Sequence, residues 1–262
     1  MRAVKGPFDI VGDVHGCADE LEELLARLGY GVSRAGQHGR RIKTAAPPGR
    51  RLIFVGDLVD RGPRSPDVLR IVMSLVEAGH ALAVPGNHDV KFLRWLDSRQ
   101  VKMSHGLDRT VAQLEGESPE FRASVKSFLA GLPSHVWLEE GQLAVAHAGI
   151  KDEMLGRISG EVRRFCLYGE TSGETDEFGL PIRYHWAAEY KGATSIVYGH
   201  TPVPDAEWFN RTICIDTGCC FGGKLSALRW PEQEIVSVPA AKVYSEPMRP
   251  FGHPPVRPGA VL

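Results

Sequence analysis

Three short apolar runs in the first third of the chain each stop at a glycine followed by an acid or its amide. FDIV leads into Gly12-Asp13-Val14-His15-Gly16, LIFV into Gly56-Asp57-Leu58-Val59-Asp60-Arg61-Gly62, and ALAVP into Gly86-Asn87-His88-Asp89. Between them lie two helical patterns. Leu21, Leu24, Leu25 and Leu28 recur at helical spacing in residues 19–29, with Gly29 at the cap position, and Val68, Leu69, Val72, Leu75 and Val76 do so in residues 66–79. Strand and helix therefore alternate, which predicts an α/β layered sheet. Asp13, Asp57 and Asn87 then sit in loops at C-terminal strand ends, where open α/β sheets place their ligands. His147 in LAVAHAG and His200 in SIVYGHT follow apolar runs in the same way.

Further along, residues 88–100 and 119–131 read as helices of an inserted cap over about 90–131. Residues 136–138 and 143–146 read as a hairpin, and residues 31–51 as a loop or irregular hairpin. Residues 158–191 show no clear pattern. Strands are expected at 195–198, 208–209, 212–215, 225–230 and 235–238, largely antiparallel, so that the two halves make a two-sheet sandwich with helices outside. The catalytic domain is expected to span residues 1–240. Six of the 18 prolines lie from Pro239 to Pro258, and residues 241–262 read as a proline-rich tail without helical or strand period.

A chain of 262 residues, 43% hydrophobic, buries a large core in one domain or two. The net charge of -1 disfavours wrapping of duplex nucleic acid, though not recognition of a nucleic-acid end. No run approaches the ~20 apolar residues that span a bilayer, and the first residues lack a signal-peptide pattern, so a cytoplasmic protein without membrane partners is expected. Cys17, Cys166, Cys214, Cys219 and Cys220 show no disulfide framework. Adjacent Cys219 and Cys220 could form a redox or metal pair, but small packing residues are the simpler expectation.

The strand-end residues are oxygen and nitrogen donors. They suit Mn²⁺, Fe or Zn²⁺, with Ni²⁺ or Co²⁺ also accommodated, rather than a thiolate metal. Asp13, His15 and Asp57 are assigned to one ion, and Asp57, Asn87, His147 and His200 to a second, with Asp57 as the bridge. Two ions ~3.5–4 Å apart can share a water, lower its pKa towards ~7 and hold it in line with a phosphorus atom. Arg61 offers a guanidinium fork for phosphate, with Asn87 and, more weakly, Arg183 in GLPIRY as further substrate contacts. His88 is expected to act as general acid, with Asp60 holding its tautomer and raising its pKa. Asp216, in ICIDTG, would orient Arg61 or a ligand. A single GDxHG arises by chance on the order of once per 10⁵ positions, but three such motifs in order, with two strand-end histidines, do not. His105, His135 and His185 lack the strand-end pattern. The basic stretch Arg40, Arg41, Lys43, Arg50 and Arg51 could touch RNA, but a solvated loop is the simpler expectation.

At GDVHG, GDLVDRG, GNHD, HAG and YGHT, in that order over residues 8 to about 240, the chain resembles calcineurin-like metallophosphoesterases of the phosphoprotein-phosphatase type. The resemblance implies an αββα sandwich of the metallo-dependent phosphatase type, a dinuclear Mn-type centre and the division of roles given above. FDIVGDVHGCADELEELLARLGY, LYGETSGETDEFGLPIRYHWAAEY and NRTICIDTGCCFGGKLSALRWPE look like the phosphatase module of bacterial polynucleotide kinase-phosphatase, an RNA-repair enzyme. That likeness implies hydrolysis of RNA 2′,3′-cyclic phosphate or 2′- or 3′-phosphate ends by a metal-bridging hydroxide. No GxxxxGK[ST] loop is present, so kinase and ligase functions would come from separate partners if the chain is free-standing. The alternatives are a symmetrical dinucleoside tetraphosphatase, a protein serine/threonine phosphatase, or a non-catalytic binding module. The tail supports the last of these and the complete ligand set opposes it.

Overall fold

A computed structural model describes residues 2–35 and 41–249. In chain order it contains β1 (Phe8–Val11), α1 (Ala18–Arg27), the hairpin β2 (Gly31–Ala35) and β3 (Arg41–Ala45), β4 (Arg51–Phe54), α2 (Ser65–Glu77), β5 (Ala81–Ala83), α3 (Asn87–Leu96), α4 (Leu107–Glu115) and α5 (Pro119–Ala130). The second half holds β6 (His135–Leu138), β7 (Leu143–Ala146), α6 (Gly160–Tyr168), the hairpin β8 (Thr171–Thr175) and β9 (Pro181–Arg183), β10 (Ser195–Tyr198), β11 (Trp208–Phe209), β12 (Thr212–Cys214), β13 (Lys224–Trp230) and β14 (Glu234–Pro239).

Two five-stranded sheets carry the architecture, in the orders β14-β13-β1-β4-β5 and β11-β12-β10-β7-β6. Period-two alternation divides each strand between two cores. Phe8, Ile10, Ile53 and Val55 face Val136, Val145, Val197 and Ile213 across the sandwich. Val11, Leu52 and Phe54 face outward onto Leu21, Leu24 and Leu25 of α1 and Val68, Leu69 and Val72 of α2. Ala144, Ala146 and Ile196 of the second sheet pack on Val162, Phe165 and Cys166 of α6. Strands covered on both faces read as unbroken apolar runs. Each fully buried Phe, Ile or Leu contributes roughly 1.5–3 kcal/mol. The one acid inside β1, Asp9, is fully buried but bonded to Arg50 at 2.8 Å and Tyr30 at 2.9 Å. Arg50 thus serves the core rather than RNA. Arg40 and the side chain of Arg41 lie outside the described residues.

The expectation of a largely antiparallel second half is only partly met. β10 runs parallel to both β7 and β12, while β11–β12 and β13–β14 are antiparallel. Parallel β7, β10 and β12 bring the residues after them to one edge, which an antiparallel arrangement would split between opposite edges. Helix α4 adds a third helix to the two expected in the cap: its short apolar set Leu107, Val111 and Leu114 sits in a polar stretch and leaves little period in the sequence. Leu107, Leu114, Val125 and Leu129 of α4 and α5 join the same apolar cluster as α1 and α2. Among the described residues no helix is long and apolar enough to cross a membrane. Residues 240–245 lie against the turn after β12, with the Tyr244 and Ser245 amides donating to the Cys220 carbonyl, and Arg249 pairs with Asp176. The remaining tail, 250–262, lies outside the described residues.

Candidate metal centre

Parallel strands of the two sheets deliver the sequence-derived residues to one place. Asp13 and His15 follow β1, Asp57, Asp60 and Arg61 follow β4, and Asn87 and His88 open α3 after β5. From the other sheet come His147 after β7, His200 after β10 and Asp216 after β12. The backbone is bent hard to do this. His15, Asp57, Asp60, Arg61 and His200 all take positive φ, from 44° to 74°, a conformation that costs a non-glycine residue on the order of 1–3 kcal/mol. Close approach also demands glycine: a Cβ on Gly86 would overlap the Asp57 carboxylate, and one on Gly199 the Asp13 carboxylate.

Asp57 lies at the middle. Its Oδ2 is 3.4 Å from His15 Nε2 and 3.5 Å from His147 Nε2, while Oδ1 accepts the His88 amide at 2.9 Å. Asp13 Oδ2 stands 4.0 Å from His147 Nδ1 and accepts the His200 amide at 3.1 Å. His147 Nε2 is 3.0 Å from Asn87 Oδ1 and 2.9 Å from His200 Nδ1. Two donor sets capable of holding a cation share Asp57: His15, Asp57 and His88, and Asp57, His147 and His200. Asp13 and Asn87 adjoin them through the contacts above.

The hydrogen-bond pattern fits cations. His15 Nδ1 and His147 Nδ1 each face a backbone carbonyl, Val59 at 2.8 Å and Val55 at 3.1 Å. A carbonyl only accepts, so both rings carry their proton on Nδ1 and present a bare Nε2 lone pair to Asp57. At His147 that lone pair meets the Asn87 oxygen, another acceptor, and the Asp57 oxygen. His200 Nε2 is buried without any partner. Acceptors converging on acceptors in a dry site need a positive charge between them.

Electrostatics agree. Burial raises the Asp57, Asp60, Asp89 and Asp216 carboxyls to about 7, and burial, with help from Asp216 and Asp57, raises Asp13 well above the ordinary carboxylate value. Burial lowers His147 to about 3 and places His15, His88 and His200 well below the ordinary histidine value. In the metal-free fold a raised carboxyl is stabilising below its unfolded value near 4, and that contribution is lost as pH rises through about 7. A depressed histidine is stabilising above about 6.5 and loses that contribution as pH falls. Protons on the carboxyls compete with a cation below pH 7, whereas the histidines are already neutral. The melting-temperature gain from added Mn²⁺ should therefore grow as pH rises from 5 to about 7. A gain that is flat over that interval in a thermal-shift series would contradict the carboxylate-based centre.

His88 Nδ1 lies 2.6 Å from Asp60 Oδ2, the contact expected to set its tautomer. The expected rise in its pKa does not occur: burial, then the Arg61 guanidinium, push it down. Asp60 is itself held by Thr110, whose hydroxyl donates to Oδ1 at 2.7 Å and whose Oγ1 accepts the Asp60 amide at 2.9 Å. Asp89 accepts the Leu58 and Gly86 amides, both at 2.9 Å, and pins the second loop to the third. Thr110 carries no sequence signal for this role, and Asp89 could have been found from its place in GNHD. Arg61 reaches His15 Nε2 at 2.5 Å and lies over the Phe221 ring. Asp216 is buried near Arg61 and Asp13, and its Oδ1 accepts the Gly218 amide at 3.1 Å. Arg183, at the end of β9, donates to the Tyr168 carbonyl at 2.5 Å. It acts on Asp57, His147 and His200, and burial lowers it to about 10. His135 and His185 stay apart from the cluster. His135 Nε2 accepts the Gly156 amide, and His185 stacks on Phe209.

The family profile described as calcineurin-like phosphoesterase matches residues 6–216. A bis(5′-nucleosyl)-tetraphosphatase PrpE, designated asymmetrical, from Anoxybacillus flavithermus is 44% identical over 249 residues, 93% of this chain and 99% of that protein. The protein of the same designation from Halalkalibacterium halodurans is 46% identical over 249 residues, 93% of this chain and 98% of its own length. A crystal structure provisionally described as a diadenosine tetraphosphatase superposes with a TM-score of 0.64 at 28% identity, covering 92% of this chain and 96% of its own. These findings correct the expectation of kinship specifically with the phosphatase module of polynucleotide kinase-phosphatase. They give no support to a role in RNA repair.

Proposed function

Because the chain belongs to the calcineurin-like phosphoesterases and is a metal-dependent phosphoester hydrolase, we propose that its substrates are bis(5′-nucleosyl) tetraphosphates, cut asymmetrically to a nucleoside triphosphate and a monophosphate. The relatives named asymmetrical tetraphosphatases support this substrate class over RNA ends and phosphoproteins, and the mode of cleavage over a symmetrical one. The single observation that carries the chemistry is the convergence of the His147, Asn87 and Asp57 lone pairs on one dry point.

Asp13, His15 and Asp57 would hold one divalent cation, and Asp57, Asn87, His147 and His200 a second, with Mn²⁺ the proposed occupant of this oxygen and nitrogen set. Such ions supply Lewis acidity to the attacking water and the phosphoryl oxygens. Arg61 and Arg183 would clamp successive phosphates from two sides, and Asn87 would add a polar contact. The substrate's negative charge would offset the Arg61 guanidinium that holds the pKa of His88 down. His88 can then hold a proton on Nε2 for the leaving oxygen while Nδ1–H donates to Asp60. Asp216 would keep Arg61 in place.

A side-by-side assay with Mn²⁺ tests the reading. Diadenosine tetraphosphate should be turned over at least ~10-fold better in kcat/KM than an RNA 2′,3′-cyclic phosphate or a phosphoserine peptide, a margin of about 1.4 kcal/mol. Its products should be ATP and AMP. ADP as sole product would make the cleavage symmetrical, and preference for either other substrate would overturn the assignment.

A further inference from the structure

The geometry points to a second, thiolate-bearing metal site behind the phosphoester centre, in which Cys17, Glu20 and Cys219 bind one thiophilic divalent cation of the Zn²⁺ type. Cys17 precedes α1, Glu20 lies one helical turn further on the same face, and Cys219 opens the 3-10 turn Cys219–Phe221 between β12 and β13. One ligand atom from each lies within 4.8 Å of the others, and all three residues are buried. Ligands of a tetrahedral zinc site with two sulfurs and a carboxylate stand about 3.3–3.8 Å apart, which this spacing admits with little movement.

Packing accounts for buried thiols, but it does not account for the carboxylate. Glu20 Oε1 is fully engaged, accepting the Ala241 amide at 3.0 Å and the Tyr244 hydroxyl at 2.7 Å. Glu20 Oε2 is buried and has no hydrogen-bond partner. Among the described residues no Lys or Arg pairs with Glu20. A carboxylate oxygen held dry beside two sulfurs is costly unless a cation completes the set.

Binding would release both thiol protons to solvent and join α1, the β12–β13 turn and the segment 240–245 at one point. That point adjoins the phosphoester centre from behind. Cys17 Sγ reaches the His15 carbonyl at 3.6 Å, and Phe221, which closes the turn that Cys219 opens, lies under the Arg61 guanidinium at 4.9 Å. The clasp would therefore fix the loops that carry His15 and Arg61.

Cobalt reconstitution tests it independently of any substrate. The purified protein is stripped by chelation and refilled with Co²⁺ alone. A sulfur-to-cobalt charge-transfer band is expected, which a centre of oxygen and nitrogen donors cannot produce. Elemental analysis after Zn²⁺ loading should give one equivalent more per chain than in Cys219→Ser or Glu20→Gln. Absence of the band, equal metal content in both variants, or a Cys17–Cys219 disulfide in protein purified without reductant would overturn the proposal. If the variants fail to fold, the wild-type cobalt spectrum decides alone.

Discussion

Asp57→Asn should remove bound metal from the phosphoester centre and lower kcat on diadenosine tetraphosphate by on the order of 10³-fold or more. The substitution is nearly isosteric and can still accept the His88 amide through its oxygen, which wild-type Oδ1 does at 2.9 Å. What it loses is the negative charge and the second oxygen, the atom within 3.5 Å of both His15 and His147. Both donor sets share this residue, so one substitution damages both. Loss of a single preorganised electrostatic contact commonly costs 10²–10³-fold, and here two ions are weakened together. Elemental analysis and steady-state kinetics on the same preparation provide the check. A variant with full metal content and undiminished turnover would end the assignment of Asp57 as the bridge.

His88→Asn should lower kcat by about 10²–10⁴-fold while leaving metal content and KM close to wild type. The loss should depend on the leaving group. It should be largest for an alkyl phosphate, whose alkoxide needs a proton, and much smaller for a nitrophenyl ester, whose phenolate does not. Thr110→Val, which strips Asp60 of its hydroxyl donor at 2.7 Å, should give a weaker version of the same pattern, about 10–100-fold. His88 also falls within 4.8 Å of His15 and Asp57, so a ligand role is the competing account. Loss of metal in His88→Asn, with equal damage for both leaving groups, would establish that account and remove the general acid.

Much of the fold was legible because burial leaves a local trace. Strands covered on both faces, such as LIFV and LAVA, are uninterrupted apolar runs, and α1 and α2 show a clear 3.6 period. Residues 158–191 were not legible. There α6 is followed by the hairpin β8–β9, whose strands are short and hold no buried residue, so neither period is strong. Strand direction was also hidden. Nothing within SIVYG or TIC states whether the neighbour runs parallel, since that depends on crossovers far away in sequence.

The residue types of the site and their positions at strand ends were determined by the sequence alone, because metal and phosphate chemistry needs particular atoms and a strand end needs a glycine beside them. Only the tertiary structure decided how those atoms meet. It set which histidine nitrogen faces inward, because Val55 and Val59 carbonyls from another loop choose the tautomer. It set the downward shift of His88, because burial and Arg61 act through space. It also brought Thr110 to Asp60 and Tyr244 to Glu20. Such contacts join residues 50 and 224 positions apart, and proximity of that kind leaves no mark on either neighbourhood in the chain.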